Sequence, residues 1–226
     1  MEYGTDGTAL RIVYSVATDG WIPTLDMTVE DVPSKGNSEG IFGYGYLDPA
    51  AYHSINNLVY NTGVVATDVT GVGTGRKGLA ATQYGGDKGI FGYGNTGSVV
   101  SMTNLVSNAG VVATDTTGVG TTRGYLAACS YGYDKGIFAY GNSGSYTAVS
   151  NLVSNVGVVA TDVTGVGTSR GYLAATQYGG DKGIFGYGTT GSQVGMSNLV
   201  SNAGVVATDV TGVGTARQEL AACSYN

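Results

Sequence analysis

The sequence predicts an all-β repeat protein, a β-propeller of five four-stranded blades, and three observations carry that expectation. The stretch from Arg76 to Thr122 recurs almost letter for letter. Arginines fall at Arg76, Arg123, Arg170 and Arg217, asparagines of an Asn-Leu-Val triplet at Asn57, Asn104, Asn151 and Asn198, and aspartates at Asp68, Asp115, Asp162 and Asp209, always 47 residues apart. A fixed period of that length marks a repeat architecture. Each period splits into four short segments separated by turn residues, and no stretch carries a helical period. A single four-stranded sheet cannot bury both its faces, so like sheets must stack, and sheet twist favours closing the stack into a ring.

In chain order, residues 1–39 depart from the repeat but still read as strands. A β-branched run from Leu10, the turn signal Asp19-Gly20 and a second run from Trp21 make a hairpin, and turn-rich residues 31–38 lead into the first regular repeat. Each full repeat then offers a small apolar strand such as Leu79 to Tyr84, a Gly-Gly-Asp-Lys turn, and a second strand, Gly-Ile-Phe-Gly-Tyr-Gly, whose glycines allow neighbouring backbone to come close. The third strand, Asn-Leu-Val-Ser-Asn, ends in a tight Asn-X-Gly turn. The fourth, Gly-Val-Val-Ala-Thr-Asp, runs through a Thr-Gly-Val-Gly-Thr loop to the next arginine. Residues 218–226 repeat the first strand once more. They are expected to close a divergent fifth blade whose other strands lie in 1–39, so that 1–226 forms one domain with regular repeats over 40–217. The alternatives are a four-bladed ring with an N-terminal β extension and, more distantly, a parallel β-solenoid.

The opening arginines and the Gly-Ile-Phe-Gly-Tyr-Gly strand resemble the blades of Kelch-type propellers over roughly residues 40–226. In that family the second strand ends in a glycine pair and the fourth carries a tryptophan. Here the strand ends Gly-Tyr-Gly, and the one tryptophan, Trp21, lies in the divergent segment. The wording of the repeat also resembles repeats in proteins of tailed bacteriophages. The resemblance implies a non-enzymatic structural or host-attachment protein of a virion or the extracellular space, binding other virion proteins or a host-surface glycan. The Kelch likeness alone implies a soluble protein-interaction scaffold.

Composition narrows the functions further. Gly is 40 of 226 residues and only 12% are charged, yet 42% are apolar and set in regular short runs, which a packed protein needs and a disordered one lacks. The net charge of −6 is concentrated in residues 1–39, where Glu2, Asp6, Asp19, Asp26, Glu30, Asp31 and Glu39 face only Arg11 and Lys35. No basic patch could neutralise many phosphates, so nucleic acid is not an expected partner. No apolar run is long enough for a membrane helix, and no leader is visible at the N-terminus. Cys129 and Cys223 occupy the same position in alternate repeats, too far apart for a disulfide, and both are expected to be small buried residues.

The chemistry-bearing residues are few. A single histidine, His53, and two distant cysteines offer no metal set, no Gly-X-Ser-X-Gly elbow surrounds a serine, and neither enzyme activity nor a cofactor is expected. The Thr-Gly-Val-Gly-Thr loops lack the lysine and the helix of a phosphate cradle and read as structural turns, with the preceding aspartates capping turns through backbone N–H groups. The arginines are expected to bond to carbonyls that connect blades or to aspartates of neighbouring loops. Variation among the copies points elsewhere, to the segments between the second and third strands. Tyr46, Asp48, Tyr52 and His53 in the first, Asn95 in the second, Asn142 and Tyr146 in the third and Gln193 in the fourth are the candidate ligand-binding residues. Aromatic rings with small polar neighbours on a rigid scaffold suit recognition of a glycan or a protein surface.

Overall fold

The computed structural model of the chain describes residues 12–15, 20–23, 38–49 and 51–225. Two compact units divide it, Met1–Gly36 and Asn37–Asn226. In the first, β1 (Ile12–Ser15) and β2 (Gly20–Pro23) pair antiparallel with Ile12 opposite Pro23 and Ser15 opposite Gly20, the hairpin that the sequence leads one to expect. The turn-rich stretch over 31–37 and the opening residues lie outside the described residues.

The second unit is built of antiparallel sheets, one per repeat. The first pairs β3 (Gly40–Leu47) with β4 (Ala51–Val59), and the second joins β5 (Ala80–Tyr84), β6 (Lys88–Asn95) and β7 (Val99–Val106). The third joins β8 (Ala127–Tyr131), β9 (Lys135–Ala139) and β10 (Ser150–Val153), and the fourth β11 (Ala174–Tyr178), β12 (Lys182–Gly186) and β13 (Ser197–Val200). Among the described residues there is no helix.

The sheets have two or three strands, not the expected four. The fourth segment touches the third strand through only two bridges, Val106 with Val112 and Thr103 with Thr116, and the same two recur in every repeat. Three steps along the third strand answer to four along the fourth segment, so the latter carries one extra residue, a β-bulge. Its cause is Asn104, whose side-chain amide donates to the Ala113 carbonyl at 3.0 Å and to the Asp115 carboxylate at 2.9 Å. That side chain occupies a carbonyl the ladder would use and turns Asp115 out toward the preceding repeat.

The second strand also departs from regularity. Tyr44, Tyr93, Tyr140 and Tyr187 adopt left-handed backbone, with φ of 65, 62, 64 and 63°. Such a conformation costs a non-glycine residue roughly 1–2 kcal/mol. It is offset by what the ring gains, since Tyr93 and Tyr140 are fully buried. The rings of Tyr44, Tyr93 and Tyr140 meet the phenylalanine of the next sheet edge to face, at 5.2 Å for Tyr44 with Phe91, 5.3 Å for Tyr93 with Phe138 and 5.4 Å for Tyr140 with Phe185. Each such pair contributes about 0.5–1.5 kcal/mol beyond its buried area. Phe138 lies so close over Gly92 that a Cβ there would come within 2.7 Å of the ring, so the glycine is required by the approach.

The arginines complete the seam between sheets. Arg76 is fully buried with its guanidinium 4.1 Å from the centre of the Tyr44 ring in the sheet before it. Toward the sheet after it, Nε donates to the Tyr93 carbonyl at 2.8 Å and Nη2 to Asn104 Oδ1 at 2.6 Å, while Nη1 donates to the Thr74 carbonyl at 3.0 Å. Asp115 in turn accepts the Thr74 N–H at 3.0 Å and its hydroxyl at 2.7 Å. Arg123 and Arg170 build the same seam with Tyr140 and Asn151, and with Tyr187 and Asn198. The arginines thus bond as expected, and the aspartates do cap turns, though each caps the loop of the repeat before its own.

Residues 218–225 of the expected closing strand, 218–226, form no strand. This corrects the expectation for Cys223, which is exposed, whereas Cys129 is buried in its sheet and its thiol is pushed up to about 12 by burial.

Candidate ligand-binding face

The candidate residues gather at one end of the sheets, where second and third strands turn into each other. In the first two repeats these segments are strands continued past the bulge, not loops. Tyr46 pairs with Tyr52 and Gly45 with His53 in one hairpin, and Asn95 pairs with Val99 in the other. β-Branched and aromatic residues at Tyr52, Ile55, Val99 and Val100 favour that continuation. In the third and fourth repeats the ladder shrinks to the bridges Asn142 with Tyr146 and Thr189 with Gln193.

Two aromatic clusters result. In the first, the Tyr46 and Tyr52 rings lie 5.1 Å apart as a cross-strand pair. The Lys77 ammonium sits 4.0 Å over the Tyr46 ring and 5.9 Å from that of Tyr52. The Tyr46 hydroxyl donates to the Pro49 carbonyl at 2.6 Å, tying the ring to its own turn, where Asp48 is exposed. His53 lies opposite Gly45, and its buried Nε2 has no hydrogen-bond partner among the described residues.

In the second cluster, Tyr125 and Tyr172 stack at 4.4 Å with planes inclined by 20°, and Tyr146 packs beside them over Gly171. Burial, followed by the neighbouring Tyr125 and Tyr146, raises the Tyr172 hydroxyl above its ordinary pKa. The stack has a backbone cause. Tyr125 donates its N–H to the Gly78 carbonyl at 2.7 Å, Tyr172 to that of Tyr125 at 2.9 Å and Glu219 to that of Tyr172 at 2.9 Å, so equivalent residues climb a ladder from repeat to repeat. Two of its rungs are tyrosines, and their rings fall in register.

The remaining candidates divide. Asn95 and Asn142 turn their side-chain oxygens back to accept the N–H of Gly97 at 2.7 Å and of Gly144 at 2.8 Å, so these groups hold their own turns. Gln193 is exposed. Lys77, Tyr125 and Tyr172 were missed by reading only the segments between second and third strands. The signal for them is the pair after each arginine, Lys77-Gly78, Gly124-Tyr125, Gly171-Tyr172 and Gln218-Glu219, which varies within an otherwise constant repeat.

Among the described residues no group of three or more metal-ligating side chains comes together. No helix there is long and apolar enough to cross a membrane. A scan against known protein-family models finds none that matches this chain, and a search of curated proteins finds no match.

Proposed function

We propose that this chain is a non-enzymatic attachment module of propeller-type blades, carried on a phage particle or another outer surface, which binds a glycan through its tyrosine-bearing face. The blade reading is supported by how adjoining sheets meet, chiefly through their first strands β5, β8 and β11. Those strands and residues 222–224 line one groove through Gln83, Ser130, Gln177 and Ser224. Contact chiefly between first strands is what blades set about an axis would give.

The observation that carries the binding reading is the Tyr125–Tyr172 stack with Tyr146 beside it. Tyrosine rings present a flat apolar face for sugar C–H groups and a hydroxyl for hydrogen bonds, at low cost in side-chain entropy. A glycan-array screen of the purified chain should give binding, and Tyr125→Ala combined with Tyr172→Ala should weaken it about tenfold or more, as expected for losing central aromatic anchors. Absence of binding to any glycan, or binding indifferent to both changes, would overturn the reading.

A second reading, a Kelch-like scaffold for a partner protein, is favoured by one observation. Val64, Val111, Val158 and Val205 hold equivalent places in the four fourth segments and are 57–65% exposed. An apolar row of that kind on a soluble surface suits contact with protein.

A further inference from the structure

Three seams inside the chain are complete, and a fourth is divided between two distant repeats. At its C-terminal half, Arg217 lies 4.0 Å over the Tyr187 ring and donates to the Thr215 carbonyl at 3.0 Å, as its counterparts do. Among the described residues no tyrosine carbonyl or asparagine meets it, no aspartate caps Thr215, and it is exposed where Arg76, Arg123 and Arg170 are fully buried. At the N-terminal half, Asn57 donates to Asp68 at 2.8 Å and to the Ala66 carbonyl at 3.1 Å, again as in the other repeats. Among the described residues no arginine or threonine reaches this pair.

The apolar parts are divided in the same way. Phe42 is 63% exposed, against 5% for Phe91 and none for Phe138 and Phe185. Among the described residues strand β3 pairs only with β4, whereas β6, β9 and β12 each pair also with a first strand. Residues 220–225 repeat that first strand but join no sheet among the described residues, and Tyr225 is 94% exposed where Tyr84 and Tyr131 are 4% exposed.

We propose that the two halves form one interface, in which the C-terminal half of one copy docks on the first sheet of a second copy. Arg217 reaches the Tyr44 carbonyl and Asn57 Oδ1, Thr215 takes Asp68 as its cap, Phe42 seats against Tyr187, and Leu220–Tyr225 adds a strand to β3. Every donor on one half finds its acceptor on the other, in a geometry the chain already builds three times. Among the described residues of one chain the two halves do not meet, and each supplies what the other lacks, so the occupant is another copy. Strand addition supplies main-chain bonds and the buried arginine supplies register. The contact is head to tail, so it propagates into a ring or a filament. It gives residues 218–226 a partner other than the N-terminal strands their sequence suggests, and it does not rest on the glycan reading.

The test is the native mass of the 226-residue chain over a concentration series. The wild type should give oligomers whose share rises with concentration. Arg217→Ala and Asp68→Ala should each weaken association at least tenfold with unchanged melting, because both side chains are exposed in the single chain. The Arg217→Ala copy keeps the first-sheet half and the Asp68→Ala copy keeps the C-terminal half, so their mixture should give dimers and nothing larger. Thr215→Cys with Asp68→Cys, in a Cys223→Ser background, should crosslink different copies into a ladder on a denaturing gel. A wild type that is monomeric throughout, association unaffected by Arg217→Ala, or a crosslink confined within one chain would overturn the proposal.

Discussion

Arg123, like Arg76 and Arg170, joins a ring, two carbonyls and an asparagine across one seam. It is fully buried, lies 4.1 Å over the Tyr93 ring, and donates from Nε to the Tyr140 carbonyl at 2.9 Å, from Nη1 to the Thr121 carbonyl at 2.9 Å and from Nη2 to Asn151 at 2.6 Å. Burial foremost lowers its pKa, and the nearby Tyr93 and Asp162 oppose that shift. A planar fork with a flat face can satisfy three acceptors and a ring at once, which a lysine ammonium cannot. Arg123→Ala would leave those acceptors buried without donors, and breaking a buried charged network of this kind costs about 3–5 kcal/mol. Urea unfolding should report a loss of that size, with Arg123→Lys recovering only part of it.

At the scale of elements, the bond between repeats is an aspartate from one fourth segment capping the loop of the repeat before. Burial alone would raise the Asp162 carboxyl, but hydrogen bonds from Thr121 and Asn151, together with the Arg123 charge, outweigh it and hold the group below its ordinary value. Asp115 and Asp209 are held low in the same way. A carboxyl depressed in the folded state stabilises it above the unfolded pKa of about 3.9, and that contribution is lost as pH falls through the lower folded value. Asp162→Asn should therefore be less stable than the wild type at neutral pH, and the gap should shrink as pH falls below the unfolded value of about 3.9. Equal gaps in urea midpoint at neutral pH and below that value would refute this account of the cap.

For the whole molecule, the register of the repeats decides which of two equivalent cysteines reacts. Cys129 is buried beneath the next sheet and its thiol pKa is pushed up to about 12, whereas Cys223 is exposed on a segment without a sheet. A thiol reagent should modify one cysteine per chain at once and the second only on unfolding, since the thiolate is the reactive form. Mass mapping should place the fast adduct on Cys223, and rapid modification of Cys129 would show that its sheet opens readily.

Much of this was legible in the sequence because it is local or periodic. The period, the turns, the order of the strands and the structural role of arginine and aspartate follow from residue types at fixed spacing. Three things were decided only in three dimensions. The fourth segment gave up its ladder because Asn104 and Asp115 serve the preceding repeat, a demand invisible within one unit. Tyr125 and Tyr172 became a stacked pair because a backbone ladder between repeats brought residues 47 positions apart to 4.4 Å. Leu220–Tyr225 has the letters of a strand but not the structure, because a strand needs a neighbour to take its hydrogen bonds and the sequence does not say which sheet that neighbour belongs to.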